Sequence, residues 1–168
     1  TQGNISGVGL ENVGVETDRG YITIGDQMQT NIPSVYAIGD VTGKLLLAHV
    51  ASAQGITAVE GIADLNPPAL NYKMMPRATY CQPQIASLGL TESEARQHGH
   101  NVKIGKFPFS ASGKAMALGE TDGMVKIVFD SEIGDLLGAH MIGAEVTEQL
   151  GELGLAKLLE STSKELGW

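Results

Sequence analysis

Asp40 stands two residues past the apolar run 35–38, inside YAIGDVTGKLLLAH (36–49), and His49 closes that stretch. A carboxylate accepts hydrogen bonds from ligand hydroxyls of the kind a ribose or ribityl chain offers. In open α/β sheets, ligands sit outside the carboxyl ends of the strands, and Asp40 has that placement if 35–38 is a buried strand. A helix starting near Leu47 or Ala48 would then present unpaired amides and a positive dipole end of about half a charge. Such an end stabilises negative charge on a ligand. The other reading is that Gly39-Asp40 only turns the chain, and spacing alone leaves both readings open.

Elsewhere the chemistry-bearing residues are sparse. Cys81 is the one cysteine, so neither an internal disulfide framework nor a CxxC redox pair can form within the chain. His98 and His100 flank Gly99 at an expected helix end, where a solvated imidazole suits the dipole. His140 falls in the strand pattern LLGAHMI (136–142), which makes it a satisfied core or interface histidine before it is a ligand. No His, Cys and Asp cluster has metal-ligand spacing. The glycine cluster SGVGLENVG (6–14) has Asn12 where a dinucleotide fingerprint needs its third glycine, and it opens no βαβ unit, so it reads as a loop. Glu145, Glu148 and Glu152 read as a solvated helix face.

The elements that must position these residues fall into two regions. In the first, GYITI (20–24) is a strand, and Pro33 turns the chain into the run 35–38, which fits a doubly covered parallel strand. AHVASAQGITAVEGIAD (48–64) then makes a helix with a narrow, close-packing face that includes Gly55 and Gly61. The segment 65–79 carries three prolines and no periodicity and reads as an extended linker.

The second region follows a β-α-β-β-β-α order. Its first strand, 77–89, is interrupted at Pro83. TESE (91–94) is a capping box with Thr91 at the N-cap, and the helix it opens stops at Gly99. Residues 101–109 alternate like a half-buried strand, and 123–129 and 136–142 form a hairpin around DSEIGD. A last helix from about Ala144 places Val146, Leu150, Leu153 and Leu158 on one stripe. Sheet plus helices makes an α+β fold.

Composition narrows the function classes. With 42% apolar and 18% charged residues over 168 positions, the chain can bury a core and is not a disordered tract. Net charge is −8, with no basic face for a nucleic acid. The apolar runs fall short of the ~20 residues of a membrane span, and no leader for secretion opens the chain.

These stretches also resemble a known family. TNIPSVYAIGDVTGKLLLAHVASAQG (30–55) resembles the second FAD-binding segment of the flavin disulfide reductases that carry two dinucleotide domains. MPRATYCQPQIASLGLTESEA (75–95), GKFPFSASGKAMALGETDGMVKIV (105–128) and LLGAHMIGAEVTEQL (136–150) resemble that family's interface domain. The wording is nearest its dihydrolipoyl dehydrogenase members, the E3 components of 2-oxoacid dehydrogenase complexes.

The resemblance implies a partial α/β FAD-binding segment over 1–70, including a short return from the nicotinamide domain, and an interface domain with an antiparallel sheet over 71–168. It implies that Asp40 binds the ribityl hydroxyls of FAD, and that Leu46, Leu47, Ala48 and His49 lie along the flavin. It further implies a homodimer joined through the interface domain, an E2 partner, NAD and dihydrolipoamide as substrates of the full-length protein, and a cytoplasmic or organelle-matrix location.

The family's GxGxxG, its redox cysteine pair and its catalytic His-Pro and Glu have no counterpart among the 168 residues. The resemblance places the first two before Thr1 and the last beyond Trp168. No catalytic residue is therefore assigned within the chain, which is expected to be inactive and without FAD on its own. The competing readings are a stand-alone dimerisation or binding module and a piece of a glutathione or mercuric reductase.

Overall fold

The computed structural model describes residues 2–147. The expected helical stripe through Leu150, Leu153 and Leu158, and the acidic positions Glu148 and Glu152, lie outside the described residues. The chain divides into two compact units, with the division between Tyr72 and Lys73.

The first unit is built on one long helix. A four-residue helix α1 (Leu10–Val13) precedes the paired strands β1 (Thr17–Asp18) and β2 (Tyr21–Ile22). The expected strand 20–24 is thus a two-residue arm of a small hairpin. Helix α2 (Ala48–Ile62) starts where its small and apolar residues predict and ends two residues before the expected Asp64. It buries Val50, Gln54, Thr57 and Ala58, which recur at helical spacing on one face. Ala58 joins Ile24, Met28 and Ala37 in a compact core, with Ile22, Tyr36, Val41 and Leu70 packed around it. Removing such apolar surface from water contributes roughly 25 cal/mol per Å².

The run 35–38 departs from the expected parallel strand. It makes only an isolated antiparallel bridge, Gln29 to Tyr36. Backbone hydrogen bonds from Thr30 N to Val35 O (2.9 Å) and from Ala37 N to Met28 O (3.0 Å) tie it to the arm just before the Pro33 turn. Its backbone groups are satisfied locally, and among the described residues no parallel neighbour supplies a ladder. Ile38 is 44% exposed, unlike a residue of a doubly covered strand.

The second unit is a five-stranded antiparallel sheet in the order β3-β4-β7-β6-β5. Its strands are β3 (Arg77–Thr79), β4 (Gln84–Gly89), β5 (Val102–Pro108), β6 (Met124–Asp130) and β7 (Leu136–Gly143). The expected single strand 77–89 is two strands: the chain reverses between Thr79 and Gln84, so that Thr79 pairs with Ile85. The linker reading of 65–79 therefore stops short, since Arg77–Thr79 is already in the sheet.

Alternation decides which face of this sheet is core. Ala86 and Leu88 of β4 pair with Met141 and Ala139 of β7, which puts all four on one face. Phe109, Ala115 and Val146 close over them. Ala115 lies on α4 (Gly113–Leu118), a short helix with no clear period in the sequence, started by Ser112. Helix α3 (Glu92–Gln97) opens with the capping box its sequence predicts. Thr91 Oγ1 accepts from Glu94 N (3.3 Å), and the Glu94 carboxylate accepts from Thr91 N (2.8 Å).

One correction concerns His100. Rather than a solvated surface residue, it is half-buried, with Nδ1 2.9 Å from Asp130 Oδ2. The pair ties the turn after α3 to the end of β6. His98 is exposed, with Nδ1 2.7 Å from Glu94 O. His140 is half-buried, with Nε2 3.1 Å from Leu90 O, which is the satisfied environment its strand position suggested.

Candidate functional site

The turn that carries Asp40 is a short 3-10 helix, Gly39–Thr42, set between two glycines. Gly39 has φ +74° and Gly43 φ +64°, a left-handed region that glycine enters without penalty. Gly43 is required on a second count, because a Cβ there would come within 2.5 Å of the Tyr21 ring. The sequence signal G-D-V-T-G thus reads as a turn closed at both ends by backbone conformation. Gly43 N donates to Asp40 O (3.1 Å), and Thr42 Oγ1 donates to Gly39 O (2.8 Å).

The side chain of Asp40 itself is exposed. No hydrogen bond or ion pair among the described residues engages its carboxylate. Four lone-pair sites on a fixed backbone are therefore available to donors from outside, which is the donor–acceptor match a polyhydroxyl chain requires.

Beyond the turn the chain runs extended to Leu47 (φ −137°, ψ 136°), and α2 begins at Ala48 with no side-chain cap. Val50 N and Ala51 N both donate to Leu47 O (3.1 Å each). The turn packs against α2, with a Gly39 Cβ position 3.5 Å from Ala51 Cβ. Leu46 is 39% exposed, Leu47 half-buried, and Ala48 and His49 are exposed. Asp40 and the stretch 46–49 are thus the two ends of one short connection between a turn and an uncapped helix start. A planar ligand over Leu46 and Leu47 would bury apolar surface, and any negative charge on it would face the positive end of the helix.

Gln54 was not singled out by sequence reasoning. It is fully buried, and its Oε1 accepts from Gly39 N at 2.6 Å. The signal that could have found it is a long amide side chain in the middle of the small-residue face of α2. A shallow depression of about 620 Å³ bordered by Glu16, Asp26, Gln29 and Asn31 includes none of residues 39–49 in its lining.

Comparison with known proteins adds an independent line. The family profile described as pyridine nucleotide-disulphide oxidoreductase matches residues 2–55, and its dimerisation-domain profile matches 75–167. A dihydrolipoyl dehydrogenase of Bacillus subtilis is 54% identical over 166 residues, which cover 99% of this chain and 35% of that protein. One from Corynebacterium glutamicum is 53% identical over 96% of this chain and 35% of its own length. The chain spans about a third of the length of these relatives. Among solved structures, LpdA of Mycobacterium tuberculosis superposes with a TM-score of 0.84 at 27% identity, over 92% of this chain and 34% of that one. The HOCl-induced flavoprotein disulfide reductase RclA of Escherichia coli gives 0.81 at 21% identity, covering 93% and 36%, and shares the fold.

Proposed function

Because the chain belongs to the pyridine nucleotide-disulphide oxidoreductases, we propose that it is the part of a dihydrolipoyl dehydrogenase that holds one side of FAD and joins two subunits. Residues 1–70 are the second segment of the FAD-binding domain, and 71–168 form the interface domain. The observation that carries the reading is the turn 39–42. It presents an exposed carboxylate without a partner among the described residues, one short connection before a helix with no side-chain cap at its start, in a stretch where the relatives named dihydrolipoyl dehydrogenase align.

Asp40 accepts hydrogen bonds from the ribityl hydroxyls, Leu46 and Leu47 shield the flavin from water, and Ala48 and His49 bring the helix start to its anionic edge. FAD, when bound, supplies the two-electron redox chemistry; these residues bind and orient it. In the full-length protein the reaction is oxidation of dihydrolipoamide with NAD as acceptor, in a homodimer that docks an E2 component in the cytoplasm or an organelle matrix. The outer face of α2 supports the partial-site reading. Ile56, Val59 and Ile62 are 62%, 65% and 59% exposed, an apolar strip that the rest of an FAD domain would cover.

The test compares the 168-residue chain with the full-length flavoprotein. The full-length protein is expected to be yellow and to reduce NAD with dihydrolipoamide. The chain alone is expected to purify colourless and to show no turnover. Flavin held by the chain alone at micromolar affinity, about 8 kcal/mol, would overturn the partial-site reading. A full-length protein inert toward dihydrolipoamide but active on another disulfide would overturn the substrate.

A further inference from the structure

Asp40 can serve as a preformed acceptor only if something fixes the backbone of its turn, because no group among the described residues fixes its carboxylate. We propose that Gln54 is the positioning residue of this site: its buried amide holds the turn at both ends and so sets where the Asp40 carboxylate meets the ligand. The inference rests on the reading of Asp40 as an FAD contact.

The geometry fixes the roles of the amide. Gly39 N–H can only donate, so the atom 2.6 Å from it is the acceptor Oε1. Nε2 then donates to Tyr72 Oη (3.0 Å) and more loosely to Thr42 Oγ1 (3.4 Å). Both hydroxyls pass their own protons onward, Thr42 to Gly39 O (2.8 Å) and Tyr72 to Met28 Sδ (3.8 Å). Gln54 therefore grips the first residue of the turn by its amide N–H and the last by its hydroxyl, with Asp40 between them. At zero exposure, a polar side chain persists only when its groups are paired. Here each amide atom has a partner, and the principal partner is the backbone of the candidate site.

A turn ordered in advance spares the ligand the entropy of ordering it. Leucine at position 54 would fill similar space but leave the half-buried Gly39 N–H without its acceptor. Glutamate would keep the acceptor, and the Tyr72 and Thr42 hydroxyls can rotate to donate to it.

The experiment uses the full-length flavoprotein. FAD affinity is measured by flavin fluorescence on reconstituting the apoprotein, and amide hydrogen exchange at Gly39 is followed in parallel. The variants are Gln54→Leu, Gln54→Glu, Asp40→Ala and the double variant Asp40→Ala with Gln54→Leu. The expected results are a roughly tenfold loss of FAD affinity in Gln54→Leu, the scale of one unpaired buried donor, and near-complete rescue in Gln54→Glu. Exchange at Gly39 should quicken by a similar factor in Gln54→Leu. Without the Asp40 carboxylate, adding Gln54→Leu should cost little more, because the two residues act as one unit.

An equal loss on both backgrounds would make Gln54 a general packing residue and overturn the proposal. So would unchanged Gly39 exchange in Gln54→Leu. If Gln54→Leu does not fold, Tyr72→Phe removes one partner of the amide with little change in volume. It is then expected to quicken exchange at Gly39 and to weaken FAD on the Asp40 background only, and the same opposite outcomes would overturn the proposal. Asp40→Ala that binds FAD as wild type, with Gly39 exchange still dependent on Gln54, would instead refute the reading of Asp40.

Discussion

The two units satisfy their polar groups in different ways. Among its described residues the second pairs many of its groups with one another: every strand of its sheet has an antiparallel partner, α3 is capped at both ends, and Lys126 bonds the Glu92 carboxylate at 2.8 Å. The first has two-residue strands, two helices without a side-chain cap at their start, and an exposed carboxylate that nothing among the described residues engages. A region that leaves helix-start donors and a carboxylate acceptor open is suited to completion by something else. A region that pairs its own groups is built to hold its shape. The contrast agrees with the proposal that the cofactor meets the first unit.

The largest expected effect tests whether each unit has its own core. Met28 (1% exposed) and Leu88 (2% exposed) sit in separate clusters. Met28→Ala and Leu88→Ala should each cost about 2–5 kcal/mol. Hydrogen exchange should report the first at Ala37, whose N–H bonds Met28 O, and the second along β4 and β7. A smaller effect belongs to the open site. Asp40→Ala in the full-length flavoprotein should weaken FAD retention by about 1–3 kcal/mol, the usual scale for losing a charged hydrogen-bond partner. The melting temperature of the apoprotein should not change, since the carboxylate engages nothing among the described residues.

Smaller again is the cap. Thr91→Ala removes the side chain that accepts from Glu94 N and should lower stability of the second unit by about 1 kcal/mol, measured by denaturant unfolding, with FAD affinity untouched. The smallest effect appears only in acid. Hydrogen bonds hold three carboxyls of the second unit below their ordinary values. For Glu92 the cause is Lys126 and then Arg96. For Glu94 it is the Thr91 hydroxyl and then its backbone N–H. For Asp130 it is the Glu132 amide and then His100. A lowered carboxyl adds stability that is complete above its ordinary value, here 4.5 for the glutamates and 3.8 for Asp130, and lost as pH falls through the lowered value. Glu94→Gln should therefore narrow its deficit against wild type as the melting temperature is followed below about pH 4. A deficit constant with pH would show that the Glu94 charge contributes nothing.

Legibility in the sequence followed the range of the forces. Thr91 and Glu94 are three residues apart, so their reciprocal cap could be read directly, as could the hairpin around DSEIGD and the small-residue helix expected over 48–64, which the structure shows as 48–62. Asp40 stood out because a carboxylate between two glycines after an apolar run is a local pattern, and the family resemblance implied a ligand for it. Tertiary structure alone decided what depends on distant partners. The reversal that pairs Thr79 with Ile85 turns one expected strand into two. The run 35–38 looks like a buried strand by composition, yet its hydrogen bonds go to the arm before Pro33, because a backbone pairs with whatever neighbour is present. His100 found Asp130 thirty positions away, and Gln54 found Gly39 and Tyr72 from the middle of a helix. Side-chain types and spacings within one or two turns are fixed by local sterics and hydrogen bonds, which the sequence states outright. Which buried amide meets which backbone N–H depends on how separate segments pack, and no spacing along the chain encodes it.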